Sequence, residues 1–435
     1  MSTFLNHGKM TVETPPERRP ITSYDQIDLS DLDFWARPMA EREHAFELLR
    51  ERDAPVFFAE PAQTFVPRGP GYHAVVRHAD ILEISRNPAV FSSEGGGATN
   101  IVDMPAEFAE YFGSMINMDD PRHARLRRIV SRAFTPKMIQ KFEDDVRTAA
   151  TSIVDDLLEK GPGCDFVTEV AARLPLKIIC DMMGIPEKDY TFVFDRSNVI
   201  LGSTDPEYVP EADQDAILTA LLTAGAELQQ LVQDLAAHRA EHPTTDLTSS
   251  LVNANVDGER LTLQEFGSFF ILLVVAGNET TRNAISQGLL LLTRNPGEKA
   301  RWLTDIDGHA PKAVEEIVRL AAPVNYMRRK VTRDVEVNGT VYREGEKAVL
   351  YYWSANRDRA VFPDPYRFDI TRDPNPHVGF GGPGPHFCLG AHLARREITL
   401  MFRELLARVP QITADRPEWL FSSFINGVKH LPCDF

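Results

Sequence analysis

The segment Phe380 to Gly390 reads FGGPGPHFCLG and presents one cysteine, Cys388, from a loop built mostly of glycine and proline. Such a loop is small and conformationally restricted, so its backbone can lie flat against a planar ligand. An amphipathic pattern from Leu389 to Val409 predicts a helix directly after it, and the free amides at a helix start stabilise a thiolate. Cys388 is therefore a candidate thiolate ligand of haem iron, an arrangement that favours O–O bond cleavage. The alternative is a buried small hydrophobic residue, the usual state of a lone cysteine.

A second segment that could do chemistry interrupts a long apolar run. Phe266 to Ala276 reads FGSFFILLVVA, and Gly277, Glu279 and Thr280 follow closely. A membrane span needs about 20 apolar residues, so these 11 residues predict a buried helix that turns polar midway. Gly277 allows close approach to the helix, Thr280 offers a hydroxyl group, and Glu279 offers a carboxyl group that can exchange protons. The alternative is a helix cap or a solvated end, which a continuing core helix disfavours because buried polar groups need partners.

The composition limits the class of protein and its partners. The 435 residues are 43% hydrophobic and 25% charged, as in an ordinary globular protein. A formal net charge of −16 argues against nucleic-acid binding. The four cysteines lack the paired spacing of a disulfide framework or a zinc site, and they suit the reducing cytoplasm. The first 20 residues contain no apolar stretch of the length that a signal peptide or a membrane anchor needs.

Helical periodicity dominates the chain from about residue 80 to 310. It follows a short helical pattern at residues 40–52 and two predicted strands on either side of the turn at residues 67–71. Asn338-Gly339 within an alternating segment predicts a small β-hairpin. Because no linker or repeat separates independent units, we predict an N-terminal extension over residues 1–30 and a single domain over residues 31–435. The expected fold class is mainly α with small β-sheets.

The cysteine loop resembles the haem-binding signature of the cytochrome P-450 family, Phe-Gly-x-Gly-x-His-x-Cys-x-Gly. Phe380 precedes Cys388 by eight positions, one more than in the family pattern. The stretch Ala276-Gly277-Asn278-Glu279-Thr280 is similar to the family's oxygen-activation motif. The resemblance covers nearly the whole chain beyond residue 30 and implies the triangular-prism fold, with haem b between the loop and a long helix. It also implies that Cys388 binds the iron, that Phe380, Ala276 and Gly277 border the haem, and that Glu279 and Thr280 are catalytic.

Further residues match positions that support the haem in this family. Glu316 and Arg319 lie on one helix face and resemble the family's Glu-x-x-Arg pair, and Arg367 in the following PYRF stretch would complete a structural triad. Four residues match positions that bind the haem propionates: His123, Arg127, Arg329 and His386. Arg328 is the alternative to Arg329. For each of these residues alone, the competing interpretation is an ordinary solvated charge.

Longer strings, such as LPLKIICDMMGIP at residues 174–186, resemble one bacterial branch of the family. That branch hydroxylates terminal (ω) carbons of methyl-branched fatty acids and isoprenoids, and it oxidises sterol side chains. The resemblance therefore implies a cytoplasmic monooxygenase that inserts one atom of O2 into an unactivated C–H bond of an apolar substrate. The expected pocket residues, any of which could instead be core, are Leu272, Val275, Val324, Phe424 and Ile425. Residues 95–98 and 198–202 would form the mobile pocket edges.

The sequence contains no flavin or nicotinamide fingerprint, so the electrons would come from a ferredoxin and an NAD(P)H-dependent ferredoxin reductase. In this family the helix with the propionate-binding histidine borders the ferredoxin site. Its candidate docking residues are Arg122, Arg125, Arg128 and Arg132. The alternative for this run of arginines is a solvated helix face.

Three other functions compete with lipid ω-hydroxylation. One is a cytochrome P-450 that hydroxylates a different apolar substrate. A second is a peroxygenase, although Glu279 and Thr280 suit a route that starts from O2. The third is a haem-based gas sensor or electron carrier, for which a proton relay would have no use.

Overall fold

The computed structural model describes residues 20–63, 66–105, 108–133, 136–210, 213–254 and 260–435, with the backbone alone for 109–110, 132–133 and 136–141. Most of the predicted N-terminal extension lies outside these ranges. Of its described part, Ile21, Ile27 and Leu29 are buried in a core cluster with Trp35 and Phe46. The domain boundary at residue 30 stays a prediction.

Helices make up most of the described chain. The α-helices, in chain order, are α1 Leu32–Trp35, α2 Met39–Arg50, α3 His78–Ser85, α4 Phe108–Phe112, α5 Arg122–Ala133, α6 Pro136–Lys160, α7 Arg173–Met183, α8 Tyr190–Gly202, α9 Gln214–Glu241, α10 Leu247–Val252, α11 Leu263–Arg294, α12 Pro296–Thr304, α13 Ile306–Ala321, α14 Tyr352–Ala355 and α15 Ala391–Arg408. Short 3-10 helices span Tyr24–Gln26, Met115–Asn117 and Glu187–Asp189, and one π-helical turn spans Val167–Ala171.

The strands are short and form small sheets. They are β1 Val56–Phe58, β2 Tyr72–Val75, β3 Phe91–Ser92, β4 Cys164–Asp165, β5 Tyr326–Val331, β6 Val335–Val337, β7 Thr340–Tyr342, β8 Lys347–Tyr351, β9 Thr413–Ala414, β10 Glu418–Trp419, β11 Val428–His430 and β12 Pro432–Asp434. A five-stranded sheet has the order β1-β2-β8-β5-β3, and a three-stranded sheet has the order β4-β12-β9. Two further pairs, β6-β7 and β10-β11, complete the described sheets. The mainly α fold class with small sheets is confirmed.

The predicted hairpin is confirmed but is shorter than its alternating pattern. β6 and β7 pair across Asn338 and Gly339, whose φ angles of 49° and 78° are those of the tight turn that joins antiparallel strands. The alternation continues into β8, but this strand pairs with β2 and β5 in the large sheet. Periodicity identified a strand here without identifying its partners.

α11 runs through the centre of the molecule. Thr262 and Glu265 form a capping box at its start, and most of its residues are buried because it packs against α7, α8, α9, α13 and α15. Two glycines allow close approach: a Cβ on Gly277 would lie 2.7 Å from Ile179 Cδ1, and one on Gly288 would lie 2.6 Å from Phe402 Cζ. Across the described chain, no helix is both long enough and apolar enough to cross a membrane.

The buried carboxylate of Glu316 on α13 collects hydrogen bonds from several parts of the chain. Arg319 binds it in a bidentate pair at 2.7 and 2.8 Å. The third member of the triad is Arg372, whose Nε donates to Glu316 at 3.1 Å. The prediction that Arg367 completes the triad is wrong, because that side chain is exposed and its backbone carbonyl oxygen accepts from Arg319 and Arg372 instead.

This network reaches the cysteine loop through one asparagine. Asn356 accepts from Arg319 through its backbone carbonyl at 2.8 Å and donates its side-chain amide to the Arg319 carbonyl at 3.1 Å. Its Oδ1 atom then accepts from the Val378 amide at 2.8 Å. Val378 lies two residues before Phe380, so the position of the loop depends on this chain of contacts.

Replacing Arg372 tests the revised triad. Arg372→Ala removes a donor from a buried carboxylate, so we expect the free energy of unfolding in urea to fall by about 1–3 kcal/mol. Arg367→Ala is the matched control and should change it by less than about 0.5 kcal/mol, as for an ordinary surface site. A larger loss in the Arg367 variant than in the Arg372 variant would contradict the assignment.

Candidate active site

Cys388 lies at the end of a loop whose backbone folds back on itself. The Cys388 amide donates to the carbonyl oxygen of Phe380 at 3.0 Å, and the Gly381 amide donates to that of Val378 at 2.9 Å. Gly381 has a φ of 88°, a left-handed conformation that glycine adopts at little cost. These closures accommodate the extra residue of the loop and place Cys388 three residues before α15.

Opposing effects act on the Cys388 sulfur. Desolvation by neighbouring protein atoms raises the pKa of the thiol, whereas hydrogen bonds from the amides of Gly390 and Ala391 act to lower it. The charges of Arg127 and Arg395 also act to lower it. Cys388 is exposed to solvent at the end of the loop. The amides and cations favour its thiolate without bringing the pKa below its usual value. That the helix start contributes to keeping the sulfur anionic stays a prediction. A metal ion bound to the sulfur would supply the missing stabilisation, since a coordinating thiol is deprotonated.

The Phe380 ring is fixed by a charged network between α13 and α15. The Arg395 guanidinium lies 4.2 Å from the ring centroid and donates to Glu315 at 2.9 Å. A ring nitrogen of His377 lies 2.9 Å from the same carboxylate. Burial alone would raise the pKa of Glu315, but the bonds from Arg395 and His377 outweigh it and lower the pKa to about 2. The ring is therefore held rigidly, while its role as a haem shield stays a prediction.

The residues predicted to bind propionates gather around His386. The ring centroids of His123 and His386 lie 4.3 Å apart. Burial, followed by the charges of Arg329, His123 and Arg127, lowers the pKa of His386 to about 3. Within the described residues the His386 Nε2 atom is buried without a hydrogen-bond partner. A buried cluster of cationic and donor groups needs an anion, and the carboxylates of haem fit this requirement.

Two arginines of strand β5 lie on opposite faces, which decides between the two candidates for the propionate position. Arg329 is buried beside His386, with one terminal nitrogen donating to the carbonyl oxygen of Arg328 at 2.7 Å. Arg328 donates to Asp103 at 2.7 Å and to the carbonyl oxygen of Gly95 at 2.9 Å. The structure therefore favours Arg329 over the alternative, and Arg328 ties down the glycine-rich segment that was expected to be a mobile edge.

Arg127 contacts the cysteine loop directly. Its two terminal nitrogens donate to the carbonyl oxygens of Pro385 at 2.8 Å and Phe387 at 2.9 Å. These bonds link α5 to the residue that precedes the cysteine. Arg127 thus has a positioning role in addition to the charge that was predicted for it.

The face of α11 that carries Thr280 is accessible. Leu272, Ala276 and Thr280, spaced four residues apart, are accessible on a helix that is otherwise largely buried. The Thr280 hydroxyl donates to the Ala276 carbonyl oxygen at 2.7 Å, which leaves its lone pairs free to accept a hydrogen bond. Gly277 lies next to this face. A side chain at this position would collide with Ile179, and the absence of one also leaves space beside the helix.

Glu279 lies away from the open face. The side chain is 2% exposed and forms an ion pair with Arg282, and it also accepts from Asn283 at 2.8 Å. Arg282 in turn donates to Asn198 of α8 at 2.9 Å. The structure therefore does not place Glu279 and Thr280 on one face, and a proton passing between them would need water or a side-chain movement.

The predicted pocket residues divide into two groups. Val324 and Ile425 form an isolated antiparallel bridge, which brings the end of α13 and the C-terminal turn together. Phe424 packs edge-on against Tyr326 at 5.4 Å, and Val275 belongs to a core cluster. Leu272, Val324 and Phe424 are half-buried, whereas Val275 and Ile425 are buried. The first three are therefore the stronger candidates for contact with a substrate.

Comparison with known proteins agrees with this arrangement. The family model for Cytochrome P-450 matches residues 109–410. The chain belongs to the cytochrome P-450 family. The family uses haem with an axial cysteine thiolate, and the enzyme is a P-450 monooxygenase.

This cytochrome P-450 is similar to several named proteins. A "Methyl-branched lipid omega-hydroxylase" from Mycobacterium tuberculosis is 50% identical over 424 residues, covering 96% of each chain. A "Steroid C26-monooxygenase" from Mycolicibacterium smegmatis is 41% identical and covers 84% of each chain. A solved structure, Mycobacterium marinum cytochrome P-450 CYP268A2 in complex with pseudoionone, has a TM-score of 0.88 at 43% identity and covers 96% of this chain and 100% of that chain.

Sequence reasoning missed several supporting residues of this P-450. Arg372, Arg395, Arg282 and Asn198 each hold a predicted site residue or its partner. Only Arg282 carried a local signal, because it follows Glu279 at helical spacing. The others are distant in sequence from the groups that they contact.

Replacing Thr280 tests its assignment to oxygen activation. Thr280→Ala removes the hydroxyl that would orient incoming protons, so hydrogen peroxide should replace alcohol while reductant is still consumed. We expect product formed per reductant to fall by about tenfold or more. Thr281→Val is the matched control, because this neighbouring threonine is buried off the open face, and it should retain coupling. Equal coupling in all three proteins would contradict the assignment.

Replacing Arg329 tests the propionate site. Losing a charge-assisted hydrogen bond of about 1.5–3 kcal/mol in Arg329→Met should raise the rate of haem transfer to apomyoglobin by about tenfold or more. Arg122→Met alters an exposed arginine of α5 and should leave the rate unchanged. Equal rates in both variants would remove Arg329 from the haem site.

Proposed function

We propose that this P-450 hydroxylates the terminal carbon of methyl-branched lipid chains. The observation that carries the proposal is the 50% identity to a methyl-branched lipid omega-hydroxylase across 96% of both chains. The open, apolar face of α11 beside Thr280 is consistent with a hydrocarbon chain. Haem bound to Cys388 would supply the oxidising chemistry that removes an unactivated hydrogen atom.

The remaining side chains would bind the cofactor, position the substrate and deliver protons. His123, His386 and Arg329 would hold the propionates, and Phe380 would lie against the loop side of the haem. Thr280 would receive protons that begin at Glu279. Because Arg282 and Asn283 bind the Glu279 carboxylate, one of these contacts would have to open before Glu279 could deliver a proton. Arg282 would meanwhile stay bound to Asn198 of α8.

Terminal selectivity requires steric control, because a primary C–H bond is the least reactive in the chain. The Val324–Ile425 bridge joins the segment after α13 to the C-terminal turn, and side-chain size at this point would set the width of the proposed pocket. A narrow pocket admits only the chain end, and a methyl branch near that end adds apolar contact area. Sterol side chains also end in a methyl branch, and the relatives named as steroid C26-monooxygenases support them as a second substrate class.

Electrons would come from a ferredoxin and its NAD(P)H-dependent reductase in the cytoplasm. Arg122 and Arg128 are exposed on α5 and could face an acidic partner. Arg125 is less suited, because it binds Glu265 at 2.7 Å and the carbonyl oxygen of Arg260 at 2.7 Å. The side chain of Arg132 lies outside the described residues.

A reconstituted assay tests the proposal. With ferredoxin and reductase present, a methyl-branched fatty acid should give mainly the ω-alcohol and more product than a straight-chain acid of equal carbon number, as measured by mass spectrometry. Val324→Ala should lower the ratio of ω to ω−1 alcohol by about threefold or more, since one or two methylene-sized spaces change discrimination on that scale. Val341→Ala, at an exposed valine of β7, is the matched control. Preference for the straight chain would contradict the substrate class.

A further inference from the structure

Two cysteines that are far apart in sequence face each other in the three-stranded sheet. Cys164 of β4 and Cys433 of β12 are directly opposite in the antiparallel register. Their sulfur atoms are 3.6 Å apart, although 269 positions separate them in the chain. Both thiols are free, and the residues are 8% and 2% exposed. The cysteines show no paired spacing in the sequence, so the sequence did not predict this contact.

The geometry is close to that of a disulfide. Residues opposite each other on antiparallel strands have Cβ atoms about 4.5–5.5 Å apart, near the roughly 3.5–4.5 Å that a disulfide requires. The sulfur atoms would have to approach by about 1.5 Å to reach a bond length of about 2.05 Å. Rotation of two side chains on short strands can supply a movement of this size.

We infer that Cys164 and Cys433 are a site of reversible oxidation to a disulfide by hydrogen peroxide. Peroxide is the by-product expected whenever proton delivery in this monooxygenase fails, so the protein can itself produce the oxidant. The pair is chemically separate from Cys388 and needs no metal.

A surface cleft gives a small oxidant a route to Cys433. The cleft has a volume of about 580 Å³ and is lined by Cys433 together with Pro162, Gly163, Thr413 and Pro432. Hydrogen peroxide is close in size to water, so it can enter. Burial raises the pKa of the Cys433 thiol, which makes reaction through a thiolate slow. The pair is therefore suited to sustained oxidant exposure rather than to rapid signalling.

The reaction takes two balanced steps. The Cys433 sulfur attacks one peroxide oxygen, so an S–O bond forms, the O–O bond breaks, and one water leaves with the thiol proton to give a sulfenic acid. The Cys164 sulfur then attacks the Cys433 sulfur, so the S–S bond forms, the S–O bond breaks, and a second water leaves. Two thiols lose two electrons and two protons, and one peroxide is reduced to two waters.

The cross-link would join the last strand to the segment before α7. It would close a loop of most of the chain, and closing a long loop restricts the unfolded state strongly. The C-terminal turn with Phe424 and Ile425 lies within that loop, a few residues before β12. Oxidation should therefore stabilise the folded enzyme whenever its own turnover releases hydrogen peroxide instead of alcohol.

Peptide mapping of the holoenzyme tests this inference. Protein treated with hydrogen peroxide, then denatured, alkylated and digested without reductant, should yield a linked peptide pair that contains Cys164 and Cys433. The pair should be two hydrogens lighter than the sum of the free peptides and should disappear with dithiothreitol. The midpoint of thermal unfolding should rise by several degrees in the oxidised protein. Diamide, which forms disulfides without transferring oxygen, should give the same link if peroxide damages the haem.

Two controls separate the disulfide from general oxidation. Cys180 is buried without a thiol neighbour among the described residues, so it should remain alkylatable in every sample. Cys164→Ser should lose both the linked peptide and the rise in the unfolding midpoint. The inference is overturned if wild-type Cys164 and Cys433 stay alkylatable after both oxidants, or if they form only sulfinic acids. A linked peptide without any rise in the unfolding midpoint would overturn the stabilising role.

Discussion

The position of the cysteine loop depends on the hydrogen bonds that the buried Glu316 carboxylate accepts. This carboxylate accepts two hydrogen bonds from Arg319 and further ones from Arg372, Asn375 and the Asp369 amide. Burying a charge is costly unless its lone pairs are satisfied, and removing one partner from such a group destabilises strongly. Arg319 also binds Asn356, which holds Val378 at the start of the loop. A charge far from the reacting atoms therefore fixes where the sulfur lies.

The two sides of the site impose opposite electrostatic demands. On the loop side, Cys388 must be a thiolate to bind iron, and the cations around His386 favour a negative partner. Haem would satisfy both demands at once, because its iron would stabilise the thiolate and its carboxylates would neutralise the cations. On the side of α11, the Glu279 carboxylate is paired with Arg282, and of the two motif residues only Thr280 reaches the open face. In the proposed mechanism, proton delivery from Glu279 would require this buried ion pair to open.

The sequence was sufficient for features that are local in the chain. Cys388 could be proposed as the haem ligand because its loop and the following helix are contiguous, and Thr280 could be proposed as a catalytic residue because its motif interrupts an apolar helix. Arg372 could not be distinguished from Arg367, since both follow α13 in the same loop and only the folded chain shows which one turns inward. The direction of Glu279 depends on Arg282 and on Asn198 of another helix. The contact of Cys164 with Cys433 depends on the pairing of two strands that short-range patterns do not predict.

The central claim is that the Cys388 thiolate binds the haem iron. The direct measurement is the absorption spectrum of the reduced holoenzyme under carbon monoxide, compared with Cys388→His and with Cys180→Ser as the matched control. The account predicts a maximum at about 450 nm for the wild type and the control, and one at about 420 nm for the histidine variant, because thiolate ligation determines the band. A band at about 450 nm that persists in the Cys388 variant, or one at about 420 nm in the native wild type, would contradict it.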